Sequence, residues 1–199
     1  MKLLSILVGT LFVVAAPYFA ARHFTMSSLT SADSIFDGFE QTDSLWLYSD
    51  KIGAATASGV ERAKVAIGGP LGLSSQEAVY FIAIADNEGR PLSSSCEYRV
   101  TGTPIDTRWW SLTLYDRETQ HYVPNAHNRS SWNSVTIPRN GDGDWLINVS
   151  PTEKDEAWLP AQAEAEKSFE LNLRVYNPSD ATRAVLPNIS LPDVERISC

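Results

Sequence analysis

Over residues 96–175 the apolar residues keep recurring at every second position. Cys96, Tyr98 and Val100 alternate with Glu97, Arg99 and Thr101, and Trp110, Leu112 and Leu114 alternate with Ser111, Thr113 and Tyr115. Phe169, Leu171, Leu173 and Val175 alternate in the same way with Glu170, Asn172 and Arg174. A period of two sends successive side chains to opposite faces of a strand, so each segment predicts one buried and one wet face, as in antiparallel sheets. Trp145, Ile147 and Val149 repeat the pattern after the turn Asn140-Gly141-Asp142-Gly143, and Val135 with Ile137 predicts a shorter strand. Val79 to Ala85 is a continuous strand-like run, closed by the turn Asp86-Asn87-Glu88-Gly89. Together these predict a mainly β domain, an antiparallel β-sandwich or jelly roll. One or two short helices precede it. Val60, Ala63, Lys64 and Ile67 fall at helical spacing before Gly68-Gly69-Pro70, and Ser74 with Glu77 reads as a capping box that starts a short turn.

The other constraint lies at the N-terminus. Leu3 to Ala21 contains no charged residue. Nineteen helical residues span roughly 28 Å, close to the hydrocarbon thickness of a bilayer. The run is apolar on every face, unlike a surface helix. It reads as a transmembrane anchor, with a cleaved signal segment as the alternative. Val14-Ala15-Ala16 is the nearest match to a cleavage site, but Pro17 follows at once. Lys2 precedes the run, and between Arg22 and Lys51 there is no Lys or Arg. That bias places the domain outside the cytoplasm, in the periplasm if the cell is Gram-negative, or secreted if the signal is cleaved. The chain then divides into an anchor or signal segment at 1–22, a polar stalk at 23–50 and a β domain at 51–199.

Lys2 is the sole charged side chain before residue 22, so the remainder carries 15 basic against 24 acidic residues. Such a surface repels nucleic-acid phosphates, and no basic patch offsets it. The expected partners are the membrane, through residues 3–21, and a small molecule, a glycan or an envelope protein.

Several pieces in order resemble a known family, the domain of unknown function numbered 1214. They include Glu77-Ala78-Val79-Tyr80-Phe81, Asp86 to Pro91, Arg108 to Asp116, Val123-Pro124-Asn125, Asn128-Arg129, Trp158-Leu159-Pro160, Leu171 to Pro178 and Leu191-Pro192 with Glu195-Arg196. The resemblance covers residues 52 to 199 and implies a jelly-roll-like β domain. It implies little about chemistry. Larger members of that family carry a second domain before this one, where the present chain has its anchor and stalk.

Signatures of chemistry are sparse. There is no G-x-S-x-G elbow, H-E-x-x-H helix, C-x-x-C pair or phosphate-cradling loop. His121 and His127 lack further ligands at a zinc spacing, so no metal or cofactor is expected. Asn140, Asp142 and Asp144 match the first oxygens of a calcium loop, but Trp145 and Leu146 follow and an ordinary hairpin turn explains them better. The densest polar stretch runs from Tyr122 to Arg129. Asn125, His127, Asn128 and Arg129, with Trp109 and Trp158 as flat walls and Trp132 nearby, form the candidate ligand site. Against it, Asn125 and Asn128 brace a loop through backbone hydrogen bonds and the Trp residues are core. Two functions follow. The first is a non-catalytic binding or accessory module; the alternative is a hydrolase or other enzyme built on His127, Arg129 and Asp116. The only two cysteines, Cys96 and Cys199, predict a disulfide that pins the terminal strand.

Overall fold

A computed structural model describes residues 15–27, 39–68, 72–161 and 166–199. Residues 15–27 are helical (α1). The expected anchor Leu3–Ala21 lies outside the described residues up to residue 14. Among those described, no helix is long and apolar enough to cross a membrane.

Ten strands follow. β1 (Glu40–Gln41), β2 (Leu47–Ser49), β3 (Ala78–Ala83), β9 (Phe169–Pro178), β5 (Thr107–Asp116) and β6 (Ser131–Asn133) make a six-stranded sheet, ordered β1-β2-β3-β9-β5-β6. β10 (Asp193–Ser198), β4 (Glu97–Gly102), β7 (Trp145–Ser150) and β8 (Trp158–Pro160) make a four-stranded sheet, ordered β10-β4-β7-β8. Every pairing is antiparallel except β7 with β8. The longest ladder joins β5 and β9, from Thr107 opposite Pro178 to Asp116 opposite Phe169.

The alternation read from the sequence places the core. Leu112 and Leu114 of β5, Leu171, Leu173 and Val175 of β9, and Val100, Ile147 and Val149 of the smaller sheet fall in one buried cluster. Tyr98 of β4 meets Phe169 of β9 edge to face at 5.5 Å, and Trp110 of β5 lies 4.7 Å from Trp145 of β7. Each such side chain removed from water contributes about 1.5–3 kcal/mol, the main term opposing chain entropy. Gly102 is part of this packing. A Cβ there would lie 2.1 Å from the Trp145 ring, so glycine lets the indole lie against the strand.

Several expectations need correction. The short strand lies at Ser131–Asn133, ahead of Val135 and Ile137. The Asn133 side chain accepts the N–H groups of Val135 and Thr136, and this local turn ends the strand before Val135. The helix α2 (Gly59–Gly68) forms where the periodicity places it. Its capping box, however, is Ser58 with Glu61: the Glu61 N–H donates to the Ser58 hydroxyl and the Ser58 N–H to the Glu61 carboxylate. Ser74 and Glu77 pair side chain to side chain in a turn that leads into β3. The sheet also takes in residues 40–49, which the sequence reading assigns to the stalk, because β2 pairs with β3 and β1 with β2. A third helix, α3 (Asp180–Ala184), is capped by the Ser179 side chain accepting from Thr182 N–H.

The second face of the six-stranded sheet is not wet at its centre. Ser111 and Thr113 of β5 and Glu170 and Asn172 of β9 point away from the apolar core, yet all four are buried. Part of the cause is local. The chain after β5 folds back so that Tyr122 stacks on Tyr115 at 5.1 Å and Gln120 reaches Glu170.

Cys96 and Cys199 are joined as a disulfide, with Cα atoms 4.0 Å apart, well inside the ~7 Å beyond which no bridge closes. It ties the end of β10 to the start of β4. Arg196 of β10 reinforces the tie by pairing with buried Asp86 at 2.8 Å, and Trp46 Nε1 donates to Pro192 O.

Candidate functional site

The polar loop predicted from sequence lies between β5 and β6. Its first turn hangs on Asp116, whose Oδ1 accepts the N–H groups of Glu118 and Thr119 while Oδ2 accepts from Lys167 Nζ at 3.1 Å. Burial alone would raise the Asp116 carboxyl. The Thr119 N–H and the Lys167 ammonium more than offset that and hold it below the ordinary carboxylate range. A carboxylate committed in this way is a turn brace. Its hydrogen bonds go to Glu118, Thr119 and Lys167.

Asn125 is the second brace. Its Nδ2 donates to Val123 O and Arg129 O, and its Oδ1 accepts the N–H groups of His127 and Arg129. All four bonds go to backbone, so this side chain fixes the loop. Asn128 has φ of 49°, a left-handed position that Asn tolerates better than most residues, and its N–H donates to Asn125 O. His127 is exposed and meets the edge of Trp158 at 5.1 Å. Trp158 itself is buried, with Nε1 donating to Ser150 O. Trp109 stands apart from the loop. Trp132 pairs with Leu112 and so shares its face of the sheet, whereas Trp109 is three residues from Leu112 and projects from the other face, against Tyr176 at 5.0 Å.

One predicted residue opens onto a site that the sequence does not outline. The Arg129 guanidinium lies 4.8 Å from the centre of the Trp132 ring, and that indole donates to Trp158 O. Arg129 and Trp132 form one wall of a groove of about 1070 Å³. Thr101, Gly102 and Thr103 at the end of β4 and Asp144, Trp145 and Leu146 at the start of β7 also line it, with Asp155 and Glu156 before β8, Arg139 and Asn140 before β7, and Ser190, Leu191 and Asp193 leading into β10. Two guanidiniums and four carboxylates therefore face one space, and among the described residues no ion pair joins any two of them. Arg139 is oriented by a bond to Ser134 O at 2.8 Å. Arg139, the adjacent Asp155 and Glu156, and Asp193 come from three separate segments of the chain, and no local motif marks them.

The calcium reading of the 140–144 turn is not supported by its geometry. Asn140 Oδ1 accepts the N–H groups of Asp142 and Asp144, the bonds of a turn brace. Among the described residues no group of three or more acidic, His or Cys side chains is placed to hold a metal.

A second polar cluster lies on the far face of the six-stranded sheet. Glu170 is buried opposite Tyr115, and desolvation pushes its carboxyl up to about 7, with the Gln120 amide and the Arg117 charge pulling the other way. Desolvation also raises the Tyr115 phenol to about 12, although the Arg174 guanidinium donates to it. Asn172, one cross-strand position away, keeps Oδ1 buried without a hydrogen-bond partner.

Comparison with known proteins gives a family and a fold. The model of the family described as Protein of unknown function (DUF1214) matches residues 77–180. The chain is similar in structure to the VPA0106 protein from Vibrio parahaemolyticus, with 26% identity and a TM-score of 0.57 over 71% of this chain and 36% of that one. A putative uncharacterized protein from Burkholderia cenocepacia aligns at 14% identity and a TM-score of 0.46, over 61% of this chain and 30% of that one. The chain thus spans about a third of the length of the structures it matches. No curated protein matches it.

Proposed function

We propose, for a chain that belongs to the family described as Protein of unknown function (DUF1214), the role of a non-catalytic binding module that takes its ligand in the groove beside Arg129 and Trp132. The observation that carries this reading is the groove's set of charged side chains, none paired with another, beside a polar loop that is internally braced. Exposed charges normally stay in water, but six of them around one cleft, with an indole in the wall, present donors and acceptors to a guest. Asn125 holds the loop so that Arg129 keeps its place over Trp132, which lowers the ordering cost of binding. The two sheets share one core and are read as the layers of a jelly-roll-like sandwich, with the groove at the end where β4 and β7 meet. The apolar N-terminal run is read as the anchor that holds this module outside the cytoplasm, which the disulfide favours.

The test is a ligand screen by thermal shift on the full chain, repeated with Arg129→Ala and Arg139→Ala. Ligands of the groove lose their stabilising effect in both variants while the unliganded melting point stays nearly unchanged. If every ligand found stabilises both variants as well as the parent, the groove is not the site. For the anchor, a mature N-terminus near residues 17–22 by mass spectrometry overturns retention, and protease protection from the cytoplasmic side tests orientation.

A further inference from the structure

We propose that the groove's ligand is an uncharged saccharide chain. This deepens the binding-module reading and rests on it. Three features of the groove select that chemistry. The first is the mixture of charge. Arg129 and Arg139 offer fixed donors, while Asp144, Asp155, Glu156 and Asp193 offer acceptor pairs. A hydroxyl both donates and accepts, so a molecule carrying many of them satisfies guanidiniums and carboxylates in turn without bringing a charge of its own. The second is the balance. Four carboxylates against two guanidiniums repel polyanions, and the two guanidiniums disfavour a compact polycation. The third is shape. About 1070 Å³ is just above the ~300–1,000 Å³ of small-molecule sites, and the lining comes from several separate segments, which suits several rings in a row better than one enclosed group. The Arg129 guanidinium lies over the half-buried Trp132 ring, so a sugar meets that guanidinium stacked on the indole rather than a bare ring face. The indole's orientation is fixed by the bond to Trp158 O, so little order is lost on binding.

The indole N–H groups provide the readout. Trp132 donates to Trp158 O and Trp145 to Thr103 O, both at the groove, whereas Trp109 projects from the other face of the six-stranded sheet against Tyr176. The full chain, labelled with nitrogen-15 in detergent micelles, is titrated separately with cellotetraose, tetra-N-acetylchitotetraose, polygalacturonate and a cationic peptide. The expected result is saturable movement of the Trp132 and Trp145 indole signals with at least one uncharged tetrasaccharide and none of the Trp109 signal. Asp155→Asn and Asp193→Asn each weaken that binding about tenfold, as loss of a charged hydrogen bond does. Both replacements are at exposed positions, so the fold is retained. If polygalacturonate or the peptide moves the groove signals and neither tetrasaccharide does, the saccharide proposal falls while the groove reading stands. If a tetrasaccharide binds and leaves both groove indoles unmoved, the groove reading itself is overturned. If no probe moves them, the saccharide proposal again falls, and the thermal-shift screen decides the groove separately.

Discussion

Replacing Glu170 by glutamine changes how the fold's stability depends on pH. The carboxyl is buried, and desolvation raises it from 4.5 to about 7 in the folded chain. An unfolded chain returns it to water and to its ordinary value. Between roughly pH 4.5 and 7 the native state therefore holds a proton that the unfolded state has released, so stability falls as pH rises through that window. A shift of this size, at 1.36 kcal/mol per unit, is worth about 3 kcal/mol once both states are ionised. Asp86 and Asp116, held below their ordinary values, lose stability as pH falls and act at more acidic pH, so they do not mask the effect. In Glu170→Gln the amide keeps an oxygen for Gln120 Nε2 and never ionises. Its stability matches the parent's near pH 4.5 and exceeds it by about 3 kcal/mol above about pH 7.5. Urea unfolding of both proteins at several pH values between about 4.5 and 8, disulfide intact, measures the difference directly. Equal pH profiles for the two proteins, or a parent whose stability rises across the window, refute the reasoning.

Three further perturbations test the structure. Asn125→Ala removes four bonds that fix the loop and lowers stability by about 1–3 kcal/mol, measured by urea midpoint; an unchanged midpoint means the loop is held by other contacts. Reducing the disulfide, which closes a span of 103 positions, costs about 2–4 kcal/mol by melting, and unreduced protein resists alkylation at both cysteines; labelling of either thiol contradicts the bond. Gly102→Ala drives a Cβ into the Trp145 ring, costs about 1–3 kcal/mol and shifts tryptophan fluorescence; a neutral result means the indole is free to move aside.

The alternation of apolar and polar residues determined the strands β4, β5, β7 and β9, because a period of two leaves a strand no other way to separate core from water, and a continuous apolar run marked β3. Which strands become neighbours was not legible there. β3 pairs with β9, some ninety residues away, and β8 runs parallel to β7, pairings set by how the apolar faces fit together. The cysteine pair was legible because two cysteines allow one bond, and the Tyr122–Arg129 loop because its side-chain chemistry is dense. Its division of labour was not. Asn125 turned inward to backbone, Trp109 went to the opposite face, and Arg129 alone was carried to the groove. Arg139, Asp155, Glu156 and Asp193 gave no sign in sequence because each is an ordinary surface charge and they fall in three distant segments. They share a space only because β4, β7, β8 and β10 are adjacent in the four-stranded sheet. Glu170 shows the same limit in a single residue. Alternation placed it on the face away from the core, and only tertiary packing, which brings Tyr115 and Gln120 against it, took that face out of water and made its carboxyl sensitive to neutral pH.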